Sequence, residues 1–334
     1  MKILIANNQL NNLGGSETFT FTLIEELVSR GYHVEYFTFE FGLVSDRIEQ
    51  DLKVSFMSKK KYDLILANHN TCVKKLYKFG FIIQTCHGIF PKLEQPSSKA
   101  NAYVSISTEV QNHLGTLGFP SILIHNSINL KRFQSIKPIN KKLETVLSLC
   151  HSKEANEFVK RACTDLEVNF LKAFKYGDTI WNIEEKINEA DLVVGLGRSA
   201  YEAMACGRPV LVYDNRRYFD SCGDGYVKDK LGFSLQNNCS GRYTRQSFTL
   251  DLFKKELQKY NANDGLYFRN FAEKELNVKH NIERYLNFWK ENVKNNIQAK
   301  KQRKIKLSQE IIGVKNTQRL IKALKQISII NNDD

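Results

Sequence analysis

The residues best suited to chemistry sit at two glycine-led helix starts. Near the N-terminus, NNLGGSETF sets Gly14 and Gly15 between a strand-like run and a helical pattern that Ser16 can cap, with Glu17 in its first turn. Farther along, GLGRSAYEAMACGRPVLVYD (residues 195–214) repeats the plan: Gly195 and Gly197 make the turn, Ser199 can cap, and Gly207 and Pro209 stop the helix. A glycine turn entering a helix exposes backbone N–H groups at the positive end of the helix dipole, where an anion such as a diphosphate can bind. Glu202, close to the second helix start, can accept hydrogen bonds from vicinal hydroxyls such as those of a ribose. Each feature also has a structural explanation. Gly14–Gly15 lacks the G-x-G-x-x-G spacing and fits a tight connection, and Glu202 fits a complement to the helix dipole.

The elements that must hold these residues alternate. KILIAN, the helical SETFTFTLIEELVSRG, HVEYFTF, DLILAN, FIIQTC, AYVSIS and SILIHN follow one another from the N-terminus. A second series runs through ETVLSLC, SKEANEFVKRAC, EVNFLKAF, DTIWNIEEKINEA, DLVVGLG, SAYEAMACG and PVLVYD, and closes on GFSL. Alternation of strand and helix implies parallel sheets covered by crossover helices, hence an α/β protein with two such units. The polar stretch QSIKPINKK, with Pro138, is the expected hinge. The expected organisation is residues 1–138, residues 139–263, closing helices over 264–296 and a basic helical or disordered tail over 297–334.

Composition narrows the class. The chain has 334 residues, 42% apolar and 25% charged, with no apolar run long enough for a membrane span. Seven cysteines, odd in number and never spaced C-x-x-C, suggest neither a disulfide framework nor a zinc site, so a reducing cytoplasm is expected. Net charge is +13, and residues 290–326 hold eleven lysines and arginines against two glutamates. With Ile305, Ile312, Leu320 and Leu324 interspersed, this tail fits an amphipathic helix on an anionic membrane or a partner subunit, a nucleic-acid contact, or a solvated extension.

GRSAYEAMACGRPVLVYD resembles the donor-binding segment of GT-B glycosyltransferases. GGSETFTFTLIEELVSRGYHVEYFT is similar to the opening of their large, mostly retaining nucleotide-sugar-dependent family, which includes sucrose synthases and mannosyltransferases. FIIQTCHGIF, AYVSISTEVQNHLGTLGFPSILIHNSINLKRF and INEADLVVGLG resemble further pieces of that family, in register to about residue 214. The resemblance implies a GT-B fold of two Rossmann-like domains about a cleft, acceptor domain first and donor domain second. The co-substrate it implies is a nucleotide-sugar, a UDP-sugar foremost and a GDP-sugar second, and the acceptor a saccharide or lipid-linked precursor. By matching motif positions, Glu202 would bind the ribose, the backbone at Ser199 and Ala200 would face the diphosphate, Gly14 and Gly15 would approach it from the other domain, and His87 would sit by the transferred sugar.

Two departures stand out. The family's first glutamate falls at Val194, and no basic pair follows ETVLSLC, which leaves Lys153 and Arg198 as substitutes to balance phosphate charge. No D-x-D occurs near a strand end, which fits a metal-independent enzyme, retaining if the family's chemistry carries over. Were transfer to invert, His87 or Glu17 would be the candidate base. Transfer to a nucleic-acid base, or a non-catalytic GT-B subunit of a glycosylation complex, are the alternative readings.

Overall fold

The structure, a computed structural model, describes residues 1–173, 180–215 and 222–312, with 316, 318 and 320–322. Two units divide the chain, Met1–Arg284 and Tyr285–Asp334. The first unit opens with β1 (Lys2–Ala6), α1 (Gly15–Ser29), β2 (His33–Phe37), α2 (Leu43–Leu52), β3 (Tyr62–Ala67), α3 (Asn70–Leu76), β4 (Gly80–Cys86), β5 (Ala102–Ser105), α4 (Thr108–Thr116) and β6 (Ser121–Leu123). It continues with β7 (Thr145–Ser148), α5 (Lys153–Asp165), β8 (Asn169–Lys172), α6 (Ile183–Asn188), β9 (Leu192–Gly195), α7 (Arg198–Ala205), β10 (Val210–Asp214), β11 (Cys222–Tyr226), α8 (Leu231–Gln236), α9 (Leu250–Leu257) and α10 (Asp264–Phe271). The last helix, α11 (Val278–Ile312), begins in the first unit, and its distal part belongs to the second.

The first sheet has the order β2-β1-β3-β4-β5-β6 and the second β11-β10-β9-β7-β8. Every pairing is parallel except β10 with β11. Parallel strands covered on both faces are apolar throughout. Ile3, Leu4 and Ile5 of β1 are fully buried accordingly. In β9, Val193 packs with Ala200, Ala203 and Met204 of α7, while Leu192 and Val194 face Val159 and Cys163 of α5 and Phe253 of α9. Alternate side chains of one strand therefore hold helices on opposite faces of the sheet.

Strand order fixes where ligands can go. In an open parallel sheet the crevice lies outside the carboxyl ends, where successive connections leave in opposite directions. Such a switch point falls between β1 and β3 in the first sheet and between β7 and β9 in the second. The loops after β1, β7 and β9 begin at Asn7, Leu149 and Leu196.

Several expectations are corrected. Gly232–Leu235, which closes the second series in the sequence, lies in α8, and the fifth strand is β11, whose glycine-rich CGDGY shows no apolar alternation. Ser16 and Ser199 are not caps: α1 and α7 start on Gly14 and Gly197, without side-chain capping. The stretch expected as a hinge is hydrogen-bonded to residues around the second sheet, which leaves that expectation as it stood. Asn188 Oδ1 accepts from the Ile136 N–H at 2.9 Å, and Arg208, 1% exposed, donates to the Lys137 carbonyl at 2.7 Å. Asp191 accepts from the N–H groups of Asn140, Glu144 and Thr145 at 2.9, 3.0 and 2.9 Å. Phe174, Asp178 and Thr179 of the second series lie outside the described residues, as do the side chains of Ile305, Ile312 and Leu324 in the tail. Cys72, Cys86, Cys163, Cys206 and Cys239 are buried and free. Among the described residues no helix is long and apolar enough to cross a membrane.

Asp191→Ala would leave three backbone donors without their charged acceptor. Hydrogen bonds to a charged group contribute about 1.5–3 kcal/mol each, and the losses are not additive. The expected drop in unfolding free energy is about 3 kcal/mol, read by urea denaturation; a change within experimental error would show that the strap does not hold this segment.

Candidate active site at the paired switch points

The two switch points meet in one pocket of about 150 Å³. Leu13, Gly14, Gly15, Thr18, Phe21 and Thr22 line it from the loop after β1 and from α1. Leu149 and His151 come from the loop after β7, and Arg198, Ser199 and Glu202 from α7. Arg132, Phe133, Ala173, Ile180, Trp181 and Ile183 add to its wall.

Glycine is favoured at both helix starts, for different reasons. A Cβ on Gly14 would come within 2.0 Å of Glu17 Oε2, because Glu17 folds back over that backbone. Gly197 has φ +54°, in the left-handed region where a side chain is strained. Downstream, the N–H groups of Gly15, Ser16 and Glu17 have no hydrogen-bond acceptor among the described residues; the next one, Thr18, closes the first turn on the Gly14 carbonyl at 3.0 Å. At α7 the Ser199 N–H already donates to the Leu196 carbonyl at 3.2 Å, so the N–H groups of Arg198 and Ala200 are the ones left over. Two helix N-termini, one from each sheet, thus border a single pocket.

Charge is concentrated beside them. Arg198 and Glu202, each 8% exposed, form an ion pair one turn apart, with Nε to Oε1 at 2.8 Å. Burial pushes the Glu202 carboxyl above the usual range while Arg198 and Arg132 pull it back; burial lowers Arg198, opposed by Glu202. Arg132 makes a bidentate pair with Glu184, both contacts at 2.9 Å, and its guanidinium lies 5.2 Å from the centre of the Trp181 ring. Phe21 and Trp181 meet edge to face with ring centres 4.9 Å apart, so part of the wall is aromatic.

The structure brings Gly14, Gly15, Arg198, Ser199 and Glu202 together and leaves four expected residues, Glu17, Lys153, His87 and Ala200, off the lining. Glu17 is buried and held by Gln9 Nε2 at 3.1 Å and Ser16 Oγ at 3.0 Å. Lys153 is exposed at the start of α5, because Ser152 takes the capping position and turns the next side chain outward. His87, half-buried at the end of β4, bonds Asn68 Oδ1 through Nε2 at 3.1 Å and meets the Phe19 ring at 5.1 Å. Burial, with His69 and Arg198 nearby, lowers its pKa from 6.5 to about 3 against an opposing contribution from Asn126. Val194 is fully buried within β9, so its side chain adds nothing to the pocket. Ala200 is fully buried in the first turn of α7. Residues missed in the sequence are His151, Arg132 and Trp181, which reach the pocket from segments whose proximity only strand order shows, and Thr18 and Thr22, which follow Gly14 at intervals of four on α1 and could have been found from helical spacing.

Known structures share this fold. HepE of Anabaena, solved in complex with UDP and glucose, superposes with a TM-score of 0.56 at 13% identity, covering 86% of this chain and 99% of its own. AviGT4, a glycosyltransferase involved in avilamycin A biosynthesis, gives 0.54 at 12% identity over 88% of this chain and 98% of its own. The fold is GT-B. No protein-family model matches the sequence, and no curated protein does either.

The depressed pKa makes His87 a neutral imidazole at physiological pH. Its folded pKa of about 3 lies below the ordinary 6.5, so its contribution to stability is complete above pH 6.5 and is lost as pH falls through that window. In ¹⁵N-detected NMR, His87 should stay neutral down to pH 5; a titration near pH 6.5 would contradict the described burial.

Proposed function

We propose that the protein is a glycosyltransferase that moves a sugar from a nucleotide-sugar, a UDP-sugar foremost, to an acceptor hydroxyl. The observation that carries this reading is the pocket where helix N-termini of two parallel sheets meet beside one buried carboxylate, Glu202. A nucleoside diphosphate matches it part by part. The diphosphate suits the N–H groups at Gly15 and Ala200, and the ribose hydroxyls suit Glu202. The base suits the Phe21 and Trp181 wall.

Chemistry follows from the same placement. Breaking the bond between sugar and diphosphate leaves negative charge on phosphate oxygens, and preorganised N–H groups with two helix dipoles stabilise it as it forms. His87, kept neutral, suits a hydrogen bond to a sugar hydroxyl better than proton abstraction from an acceptor. A retaining reaction, in which the departing phosphate takes the acceptor proton, asks for no such base. Neither Glu17 nor Lys153 is given a role, since Glu17 is tied down within α1 and Lys153 faces solvent. We assign the acceptor to saccharides or their lipid-linked precursors on the sequence resemblance. Val194 favours a second reading, a nucleotide-binding subunit without transfer, because the carboxylate that the resembled family carries there is replaced by a buried methyl group pair.

A thermal-shift panel of UDP, GDP and their glucose, N-acetylglucosamine and mannose conjugates tests the proposal. A ligand at 100 times its Kd adds about 2.7 kcal/mol, a rise of roughly 5 °C in Tm for a chain of this size. Wild type should show such a rise with a uridine nucleotide and Glu202→Ala should not. No shift with any nucleotide would refute the reading; binding without release of sugar to water or acceptor would favour the second.

A further inference from the structure

Arg198 stands first in α7, where a residue that balances phosphate charge would be expected to point at the anion. Its side chain does something else. Nε donates to Glu202 Oε1 at 2.8 Å, one terminal nitrogen donates to the Ser127 carbonyl at 2.8 Å, and the other donates to Thr22 Oγ1 at 2.9 Å. Every nitrogen of the guanidinium is engaged with protein. The partners come from three places: α7 itself, the segment after β6, and α1 of the first sheet.

Each partner is in turn fixed. The Thr22 hydroxyl donates to the Thr18 carbonyl at 2.8 Å, which orients its lone pairs toward the guanidinium. Ser127 Oγ accepts from Asn281 Nδ2 at 3.2 Å, and Asn281 also donates to the His125 carbonyl at 3.1 Å. Oε2 of Glu202 has no hydrogen bond among the described residues, while Glu202 lines the pocket. One carboxylate oxygen is therefore held and its twin is available to a ligand.

We propose that Arg198 is a positioning residue of the nucleotide site: it turns the free edge of Glu202 toward the vicinal hydroxyls of a ribose and, through Thr22, makes that orientation depend on helix α1 of the other sheet. This rests on the reading of the pocket as a nucleotide-sugar site. The arrangement separates two duties that the sequence merges in one residue. Recognition of the ribose falls to the Arg198–Glu202 pair, and phosphate charge is left to the helix N-termini. Charges facing the pair support the assignment: Arg132 helps Arg198 to hold Glu202 in its anionic form, Glu184 opposes it, and Glu25 stabilises the guanidinium. A carboxylate fixed in this way accepts from both hydroxyls of a ribose, and an unfixed, protonated one does not.

The probes are UDP and 2′-deoxy-UDP, titrated calorimetrically against wild type, Arg198→Gln, Glu202→Gln and Thr22→Val, each checked for wild-type circular dichroism. Wild type should prefer UDP by about tenfold, the value of a hydrogen bond to a charged acceptor. Glu202→Gln and Arg198→Gln should both bring that preference close to unity while 2′-deoxy-UDP binding changes little. Thr22→Val, which keeps the shape and removes only the acceptor for Arg198, should reduce it roughly threefold. In Arg198→Gln the preference should return as pH rises, because the unpaired Glu202 then ionises only at higher pH. If Arg198→Gln weakens both nucleotides equally and leaves their ratio at the wild-type value, Arg198 binds phosphate and the inference is overturned. If wild type binds neither nucleotide, or does not distinguish them, the underlying reading of Glu202 fails instead.

Discussion

A guanidinium and a carboxylate buried together set the terms for the centre of this molecule. Moving such charges out of water costs several kcal/mol per ion, which mutual attraction offsets only if the remaining hydrogen-bonding positions are also filled. Around Arg198 they are filled from distant parts of the chain, by Ser127 after the first sheet and Thr22 on its first helix. Removing one partner of a buried pair typically costs about 3–5 kcal/mol, so the contact constrains which relative placements of α1 and α7 are stable. The half of the carboxylate left without a protein donor is where an incoming ligand would complete the set.

The sheets explain why the pair lies where it does. Each sheet changes winding direction beside its own first strand, β1 in one and β7 in the other, and each places a helix start outside that switch point. The dipoles of α1 and α7 then converge on shared space rather than on solvent. Apolar strands buried on both faces make this geometry stiff: displacing β9 would disturb the contacts of Val193 with α7 and of Val194 with α5 together. The segment around Pro138, which reads as a hinge, is hydrogen-bonded to Asn188, Asp191 and Arg208.

Much of this was legible in the sequence, for local reasons. Apolar runs and glycine turns report on strands and helix starts within a few residues, so β1, β9, α1 and α7, and with them Gly14, Gly15 and Glu202, can be found without knowing the fold. What escaped depends on long-range proximity or on side-chain direction. Trp181 and Arg132 are 49 positions apart yet bonded to each other, and no periodicity predicts it. His151 lines the pocket while Lys153, two residues on, faces solvent, a difference set by where α5 begins. Strand β11 carries glycines where alternation would be sought and pairs antiparallel to its neighbour. Serines next to glycine turns look like caps, but the backbone starts both helices on the glycine itself.

A crystal structure of the protein soaked with UDP tests the central claim most directly. The account predicts the ribose hydroxyls within about 2.6–3.2 Å of Glu202 and the diphosphate between the N-termini of α1 and α7, with Arg198 still bonded to Glu202 and Thr22. UDP bound elsewhere, or bound with its ribose away from Glu202, would contradict it.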